Sequence, residues 1–138
     1  MALFPDESVL VKLRSRLAVE TNGDAFLGLV RTLSGVLKDQ KSYPLFLNVA
    51  SQGDETNSII AAHAAAGIRP DQSAKVYGTL LRHPNPKVRV SAIDVVAFKM
   101  KQNPALKKAM PPIILRMTKD RDPAVREAVK AFKKSLQN

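Results

Sequence analysis

The chain of 138 residues contains no cysteine and no tryptophan, and it has only two histidines. Without cysteine there can be no disulfide, no thiolate metal site and no cysteine nucleophile. His63 and His83 are too far apart in sequence for the His-x-x-x-His spacing of a zinc-binding helix. We therefore expect no metal site in this protein.

Recognised catalytic patterns are also missing. All six glycines precede residue 79 and none of them cluster, so there is no glycine-rich loop of the kind that binds phosphate. No serine has a Gly-x-Ser-x-Gly context. Paired carboxylates such as Asp6-Glu7 stand at predicted helix starts, where the helix dipole accounts for them. We predict that the protein is not an enzyme and that it binds no cofactor.

Long apolar runs are absent as well. No stretch reaches the ~18 apolar residues of a membrane-spanning helix. Charged residues interrupt the first 16 positions, which lack the apolar region of a signal peptide. We expect a soluble, cytoplasmic protein. A chain of this length buries about 68% of its extended surface on folding, so its core needs no metal or disulfide.

Acidic residues are scarce in only one half of the chain. The net charge is +10, from 22 lysines and arginines against 12 aspartates and glutamates. Residues 1–69 hold equal numbers of both signs, so the whole excess lies in residues 70–138. Such an uneven distribution favours an anionic partner, which could be an acidic protein, a nucleic acid or a membrane surface.

The most frequent pattern in the sequence is a short amphipathic segment with apolar residues three and four positions apart. Strand patterns are nearly missing, and the segments are separated by turn residues. Connections of two to six residues favour antiparallel neighbours. The pattern predicts eight helices, over about 6–19, 24–38, 43–52, 54–66, 70–82, 86–101, 104–118 and 122–136.

The last two helical pairs repeat with an offset of 37 residues. The segment Pro86-Lys87-Val88-Arg89 aligns with Pro123-Ala124-Val125-Arg126, and Leu80 aligns with Met117. Each copy has a helix, a short turn that contains Asp or Asn, and a Pro-x-Val-Arg start of the next helix. In these features the chain resembles HEAT-like helical repeats over about residues 73–136.

This resemblance implies an all-α fold, a right-handed α-α superhelix of about four antiparallel helix pairs. One domain would span residues 1–138. Residues 70–138 would form the HEAT-like repeats, and residues 1–69, which match poorly, would form degenerate or capping helices. HEAT-like stacks are overwhelmingly binding scaffolds. A few relatives remove alkylated DNA bases with sites that resemble clusters of Trp, Asp and Arg, and the absence of Trp counts against that chemistry here.

The resemblance also implies a structural role for two arginines. In HEAT-like stacks the arginine of the Pro-x-Val-Arg segment pairs with an acidic residue of a neighbouring repeat. Arg89 and Arg126 would form this ladder, and Asp120 or Asp122 would be the acidic partner. These arginines are therefore not counted as part of a partner-binding surface.

The two histidines are expected to have structural roles. His83 stands where the HEAT-like pattern has an aspartate, and we expect it to be a turn or capping residue. Val129 also departs from that pattern, which has a small residue at its position. His63 lies in an alanine-rich apolar helix. We expect it to be a core histidine with its hydrogen bonds satisfied.

Positive charge in the second half has helical order. On the last predicted helix, three lysines and Arg126 lie opposite a stripe formed by Val125, Val129, Phe132 and Leu136. One face of the sixth predicted helix carries Lys87, Ser91, Asp94, Phe98 and Lys101. In a HEAT-like stack both helices line the concave surface. The candidate partner-binding residues on this basic face are Lys87, Phe98, Lys101, Lys130, Lys133 and Lys134.

Two interpretations of this basic face remain open: a solvated face that aids solubility, or a surface for an anionic partner. We predict a non-catalytic scaffold or adaptor that binds an acidic protein partner through a basic, concave C-terminal surface. The alternative is a nucleic-acid-binding helical-repeat protein, against which the few aromatic residues and the lack of a recognised nucleic-acid motif count. We expect a neighbouring helix to cover Phe98, so that it does not stack on bases.

Overall fold

The computed structural model describes residues 6–137, and this range contains eight α-helices and no strand. The prediction of an all-α chain with eight helices is therefore confirmed for the described residues. None of these helices is long and apolar enough to cross a membrane. The helices are α1 (Glu7–Val19), α2 (Gly23–Val30), α3 (Tyr43–Gln52), α4 (Glu55–Ile68), α5 (Ser73–Leu81), α6 (Pro86–Met100), α7 (Pro104–Leu115) and α8 (Pro123–Ser135).

Side-chain caps begin six of the helices. Each cap accepts a hydrogen bond from a backbone N–H of the first turn, which would otherwise lack a partner. In α6, α7 and α8 a proline follows the cap directly, where its missing N–H costs nothing and its φ suits a helix. The caps are Asp6, Asn22, Asp54, Asn85, Asn103 and Asp122.

Three of the predicted helical spans include turns that are not α-helical. α2 continues into a π-helical turn over Arg31–Val36, and Lys38 follows with a positive φ of 47°. α5 begins only after a 3-10 turn at Pro70–Gln72. α7 contains the Pro111-Pro112 pair and passes into a 3-10 turn at Arg116–Lys119. The two prolines remove N–H donors from the interior of α7, and the tighter turn follows within its next few residues.

The helices contact one another in two series. α1, α3, α5 and α7 each contact the next member of the odd-numbered series. α2, α4, α6 and α8 each contact the next member of the even-numbered series. Helices that follow each other in sequence, such as α3 and α4 or α5 and α6, are also in contact. This pattern is the one expected when helix pairs stack side by side.

One apolar cluster contains buried residues from all eight helices. Its largest fully buried side chains include Phe26 and Phe46 in the first half and Leu80, Ile93 and Ile114 in the second. Buried alanines of α4 also belong to it, and their small side chains let neighbouring helices approach closely. The same core therefore joins the first four helices to the last four.

Candidate interaction surface

A row of polar contacts links the turn within one helix pair to the turn within the next pair. Nη1 of Arg89, near the start of α6, donates to the backbone carbonyls of His83 at 2.8 Å and Pro84 at 3.0 Å. Its Nε and Nη2 donate to the two carboxylate oxygens of Asp120 at 3.1 and 3.0 Å. The predicted pairing of Arg89 with Asp120 is therefore present, and it joins the α5–α6 turn to the α7–α8 turn.

Arg126, near the start of α8, makes the same kind of carbonyl contacts as Arg89 but no contact with a carboxylate. Its Nη1 donates to the backbone carbonyls of Asp120 at 2.7 Å and Arg121 at 3.1 Å. No carboxylate in the described part of the chain forms an ion pair with it. The predicted pairing of Arg126 with an acidic residue is therefore absent among the described residues. Asp122, the other acid considered, caps α8.

His83 connects the middle turn to the preceding one. Its Nδ1 accepts the backbone N–H of Asn85 at 3.0 Å, so the proton resides on Nε2. Nε2 lies 3.0 Å from the carbonyl oxygen of Gly53 and 3.1 Å from the hydroxyl of Ser58. His83 is buried. The turn role predicted for it is confirmed, since its imidazole joins the α3–α4 turn to the α5–α6 turn.

Two carboxylates are held ionised by arginines. Burial alone would raise the pKa of Asp120, but hydrogen bonds from Arg89 and from a backbone N–H outweigh burial and hold this pKa below its ordinary value. The guanidinium of Arg14 donates to Asp39 at 2.7 and 2.8 Å and is the main cause of the lowered pKa of that carboxyl. Sequence reasoning missed this second pair, which belongs to no repeat or motif.

Phe98 stands exposed on α6 between two grooves. Its exposed fraction is 59%. One groove, of about 700 Å³, is lined by α4, α5, α6 and the start of α7, and the other, of about 660 Å³, is lined by α6, α7 and α8. The expectation that a neighbouring helix covers Phe98 is therefore wrong. α4 and α8 leave a groove on either side of this part of α6.

The groove between α4 and α6 has a mostly apolar lining that includes a few polar side chains. Nδ1 of His63 lies 3.0 Å from the hydroxyl of buried Tyr77, and the two rings meet edge to face. Burial, followed by the positive charge of Lys99, lowers the pKa of His63. His63 therefore has the expected hydrogen bond, but it is half-buried at a groove and does not lie in the core. Sequence reasoning missed Tyr77 and Lys99 as its neighbours.

The groove between α6 and α8 is largely apolar and has lysines on its lining. Phe98 and Phe132 face it together with Leu136, which is 43% exposed. The predicted apolar stripe of α8 is therefore buried at its first three members only. Lys101 and Lys107 also line the groove. Both lysines are exposed, and neither forms an ion pair with any described residue.

No protein-family model, curated protein or solved structure matches the chain. Within residues 6–137, no three histidine, aspartate or glutamate side chains are grouped so that they could hold a metal ion. The features that remain are the two grooves beside Phe98 and the exposed lysines.

The predicted basic face is divided between separate parts of the structure. Phe98 and Lys101 share the groove between α6 and α8. The three lysines of α8 are exposed but do not line this groove; they are Lys130, Lys133 and Lys134. By helical spacing they lie on the side of α8 turned away from its buried stripe, which consists of Val125, Val129 and Phe132.

Lys87 lies at the opposite end of α6 from Phe98. It lines a smaller groove of about 360 Å³, whose lining also includes the acidic residues Glu55 and Asp122. About four helical turns, roughly 21 Å at 1.5 Å per residue, separate Lys87 from Lys101. The structure therefore does not bring Lys87 together with the residues around Phe98.

Proposed function

We propose that the protein is a non-catalytic scaffold or adaptor that binds an acidic protein partner through the groove between α6 and α8. The observation that supports this most directly is the exposed ring of Phe98 between two grooves. Exposed apolar surface beside a concave site is typical of protein interfaces, in which aromatic side chains act as anchors. The partner would insert an apolar side chain beside Phe98.

The same proposal includes a HEAT-like architecture for the stack. It is supported by the successive contacts within the odd-numbered and even-numbered helices. It is supported further by Arg89 and Arg126, which hold the turns before their helices in the same way. In a HEAT-like superhelix the even-numbered helices face the concave side, so Phe98 and its two grooves would lie on the concave surface.

The charge around the groove favours an acidic partner. Lys101 and Lys107 face it, and Asp94 is the one carboxylate among its lining residues. Complementary charge raises the rate and the specificity of association more than it raises affinity. Affinity would come mainly from burying the apolar surface of Phe98 and Leu136, at about 25 cal/mol per Å² of apolar area. The partner segment is therefore both acidic and apolar.

A nucleic-acid-binding helical-repeat protein is the second candidate. The exposure of Phe98 favours it, because an exposed ring can stack on a base. We rank it second because Phe98 is the one large aromatic ring exposed in the described part of the chain, whereas single-strand binding uses successive rings. The exposed lysines suit phosphate and carboxylate equally.

Affinity purification with and without nuclease, followed by binding assays with the purified partner, tests the proposal. We expect a protein partner that survives nuclease and that binds Phe98→Ala and Lys101→Glu variants at least tenfold more weakly, about 1.4 kcal/mol. Lys87→Glu is the matched control, because it reverses a lysine of the same helix outside the groove. Full binding by Phe98→Ala would contradict the proposal.

Titration of labelled duplex and single-stranded oligonucleotides at two salt concentrations tests the second candidate. If about five lysines contacted phosphates of duplex DNA, the logarithm of affinity would fall with the logarithm of salt at a slope near −4 to −5. The absence of binding at about 50 mM salt would exclude nucleic acid as the partner, since counterion release makes low salt the most favourable condition.

A further inference from the structure

Arg89 and Arg126 hold the turns before their helices through the same atom. In each residue Nη1 donates to two consecutive backbone carbonyls, at 2.8 and 3.0 Å for Arg89 and at 2.7 and 3.1 Å for Arg126. The carbonyls, like the arginines, are 37 positions apart in the sequence. The two guanidinium groups therefore have matching positions relative to their turns.

The other edge of the Arg89 guanidinium binds a carboxylate. Nε and Nη2 donate to the two oxygens of Asp120 at 3.1 and 3.0 Å. This parallel, two-bond geometry is specific to a planar guanidinium and a carboxylate. Nε and Nη2 of Arg126 donate to no acceptor among the described residues. Arg126 thus presents, already oriented by its carbonyl contacts, the same pair of donors that Arg89 uses.

The surroundings of Arg126 attract negative charge. Lys130 and Lys133 follow it on one side of α8 at spacings of four and three residues, and both are exposed. Glu127 forms a contact of 3.2 Å with Lys130, and exposed pairs of this kind contribute little stability. Among the described residues, no carboxylate forms an ion pair with Arg126. An acidic group that approaches this side of α8 therefore meets an excess of positive charge.

We propose that Arg126 is a binding site for a carboxylate side chain of an acidic protein segment. This segment lies along the outer side of α8 and places its other acidic residues against Lys130 and Lys133. The chemistry of the ligand follows from the internal copy, in which Asp120 occupies the equivalent place beside Arg89. The inference rests on the proposed acidic protein partner, and it adds a contact outside the groove beside Phe98.

Selection of a random displayed peptide library on the whole protein tests the inference. We expect the enriched peptides to share one aspartate or glutamate. A synthetic peptide with that residue changed to its amide should bind about tenfold more weakly, because the charge-assisted pair is lost. Arg126→Lys should weaken binding of the original peptide by a similar factor. The two changes together should weaken binding no further, since they remove the same contact.

Lys130→Gln is the matched control for charge. It removes one positive charge from the same side of α8 but leaves the paired donors of Arg126, whereas Arg126→Lys keeps the charge and removes those donors. We expect Lys130→Gln to weaken peptide binding less than Arg126→Lys does. The reverse order would overturn the inference, and so would a selection in which no enriched peptide depends on Arg126.

A measurement on the unaltered protein tests the inference even if the Arg126→Lys variant does not fold. In ¹⁵N NMR spectra, the peptide should shift the Nε–H resonance of Arg126 and leave that of Arg89, which already binds Asp120. Equal shifts of both resonances, or of neither, would overturn the inference.

Phe98→Ala separates this site from the proposed function. The Phe98→Ala variant should still bind the peptide through Arg126, whether or not it still binds the partner that occupies the groove.

Discussion

Arg89 and Asp120 form an ion pair with two parallel hydrogen bonds, of 3.1 and 3.0 Å, that connects neighbouring helix pairs. The two side chains are only 10% and 13% exposed. Because water is largely excluded from both, removal of one partner leaves the other charge without its counterpart. This pair therefore positions the turn between α7 and α8 against the turn between α5 and α6.

Asp120→Asn should lower the free energy of unfolding by about 1–3 kcal/mol, because the amide keeps the volume of the side chain but weakens its charge-assisted hydrogen bonds. Combined with Arg89→Lys, it should cost less than the sum of the two single changes, since both break the same pair. Urea denaturation measures all of these values. Asp94→Asn, at an exposed aspartate without an ion pair among the described residues, is the control. An equal loss in that control would contradict the prediction.

Acid should destabilise the protein through Asp39 and Asp120. Arg14 chiefly lowers the pKa of Asp39, and Arg89 with a backbone N–H lowers that of Asp120 despite its burial. A carboxyl whose pKa is lower in the folded state contributes its stability above the unfolded value, about 3.9, and loses it as the pH falls through the folded value.

The unfolding temperature should therefore fall as the pH is lowered from about 5 to about 2. The double variant Asp39→Asn with Asp120→Asn should be less stable at neutral pH, and its stability should depend less on pH within this window. Thermal unfolding followed by circular dichroism measures both effects. Identical pH dependence in the variant and the natural protein would show that other groups are responsible.

Two buried tyrosines should respond differently to loss of the hydroxyl group. The hydroxyl of Tyr43 is buried without a hydrogen-bond partner among the described residues, whereas that of Tyr77 lies 3.0 Å from Nδ1 of His63. Tyr43→Phe should leave stability unchanged or raise it, since it removes an unsatisfied group and keeps the ring beneath Arg69. Tyr77→Phe should lower the free energy of unfolding by about 0.5–1.5 kcal/mol. Urea denaturation measures the free energy of unfolding of both variants. A greater loss of stability in Tyr43→Phe than in Tyr77→Phe would refute this prediction.

The number and approximate extents of the helices could be predicted from sequence because their signals are local. Apolar spacing marks the buried side of each helix, and residues such as Asp6 and Asp122 cap helix starts through hydrogen bonds within one turn. The pairing of Arg89 with an acidic residue of the next turn was an implication of the resemblance to HEAT-like repeats, which left Asp120 and Asp122 as alternatives; the structure has Asp120 in this place.

Features that depend on the separation of distant helices could not be predicted. Helical spacing placed Phe98 correctly on the polar side of α6, but whether a neighbour covers it depends on how closely α4 and α8 approach. The ion pair between Arg14 and Asp39 joins α1 to the turn before α3, and its two positions follow no periodic pattern in the sequence. The lysines of α8 were grouped with Lys101 because α6 and α8 would both line the concave surface of a HEAT-like stack, but these lysines do not line the groove that Lys101 shares with Phe98.

Substitutions of two phenylalanines in the α6–α8 groove should affect different properties, with Phe132 needed for stability and Phe98 for binding. Phe132 is 3% exposed and Phe98 is 59% exposed. Phe132→Ala should lower the free energy of unfolding by about 3–5 kcal/mol, because it opens a cavity where α8 packs on the core. Phe98→Ala should change it by less than about 0.5 kcal/mol, since its ring is mostly in water already. Urea denaturation gives both values on one scale.

The binding assay should show the reverse sensitivity for Phe98. Phe98→Ala removes the proposed anchor from a folded protein, so partner binding should fall while the unfolding transition stays in place. A loss below about 1 kcal/mol in Phe132→Ala would mean that α8 is only loosely attached, and the assignment of α8 to a stacked repeat would then be wrong. A large loss of stability in Phe98→Ala would instead mean that its ring supports the packing of α6, and its proposed role as an exposed anchor would fail.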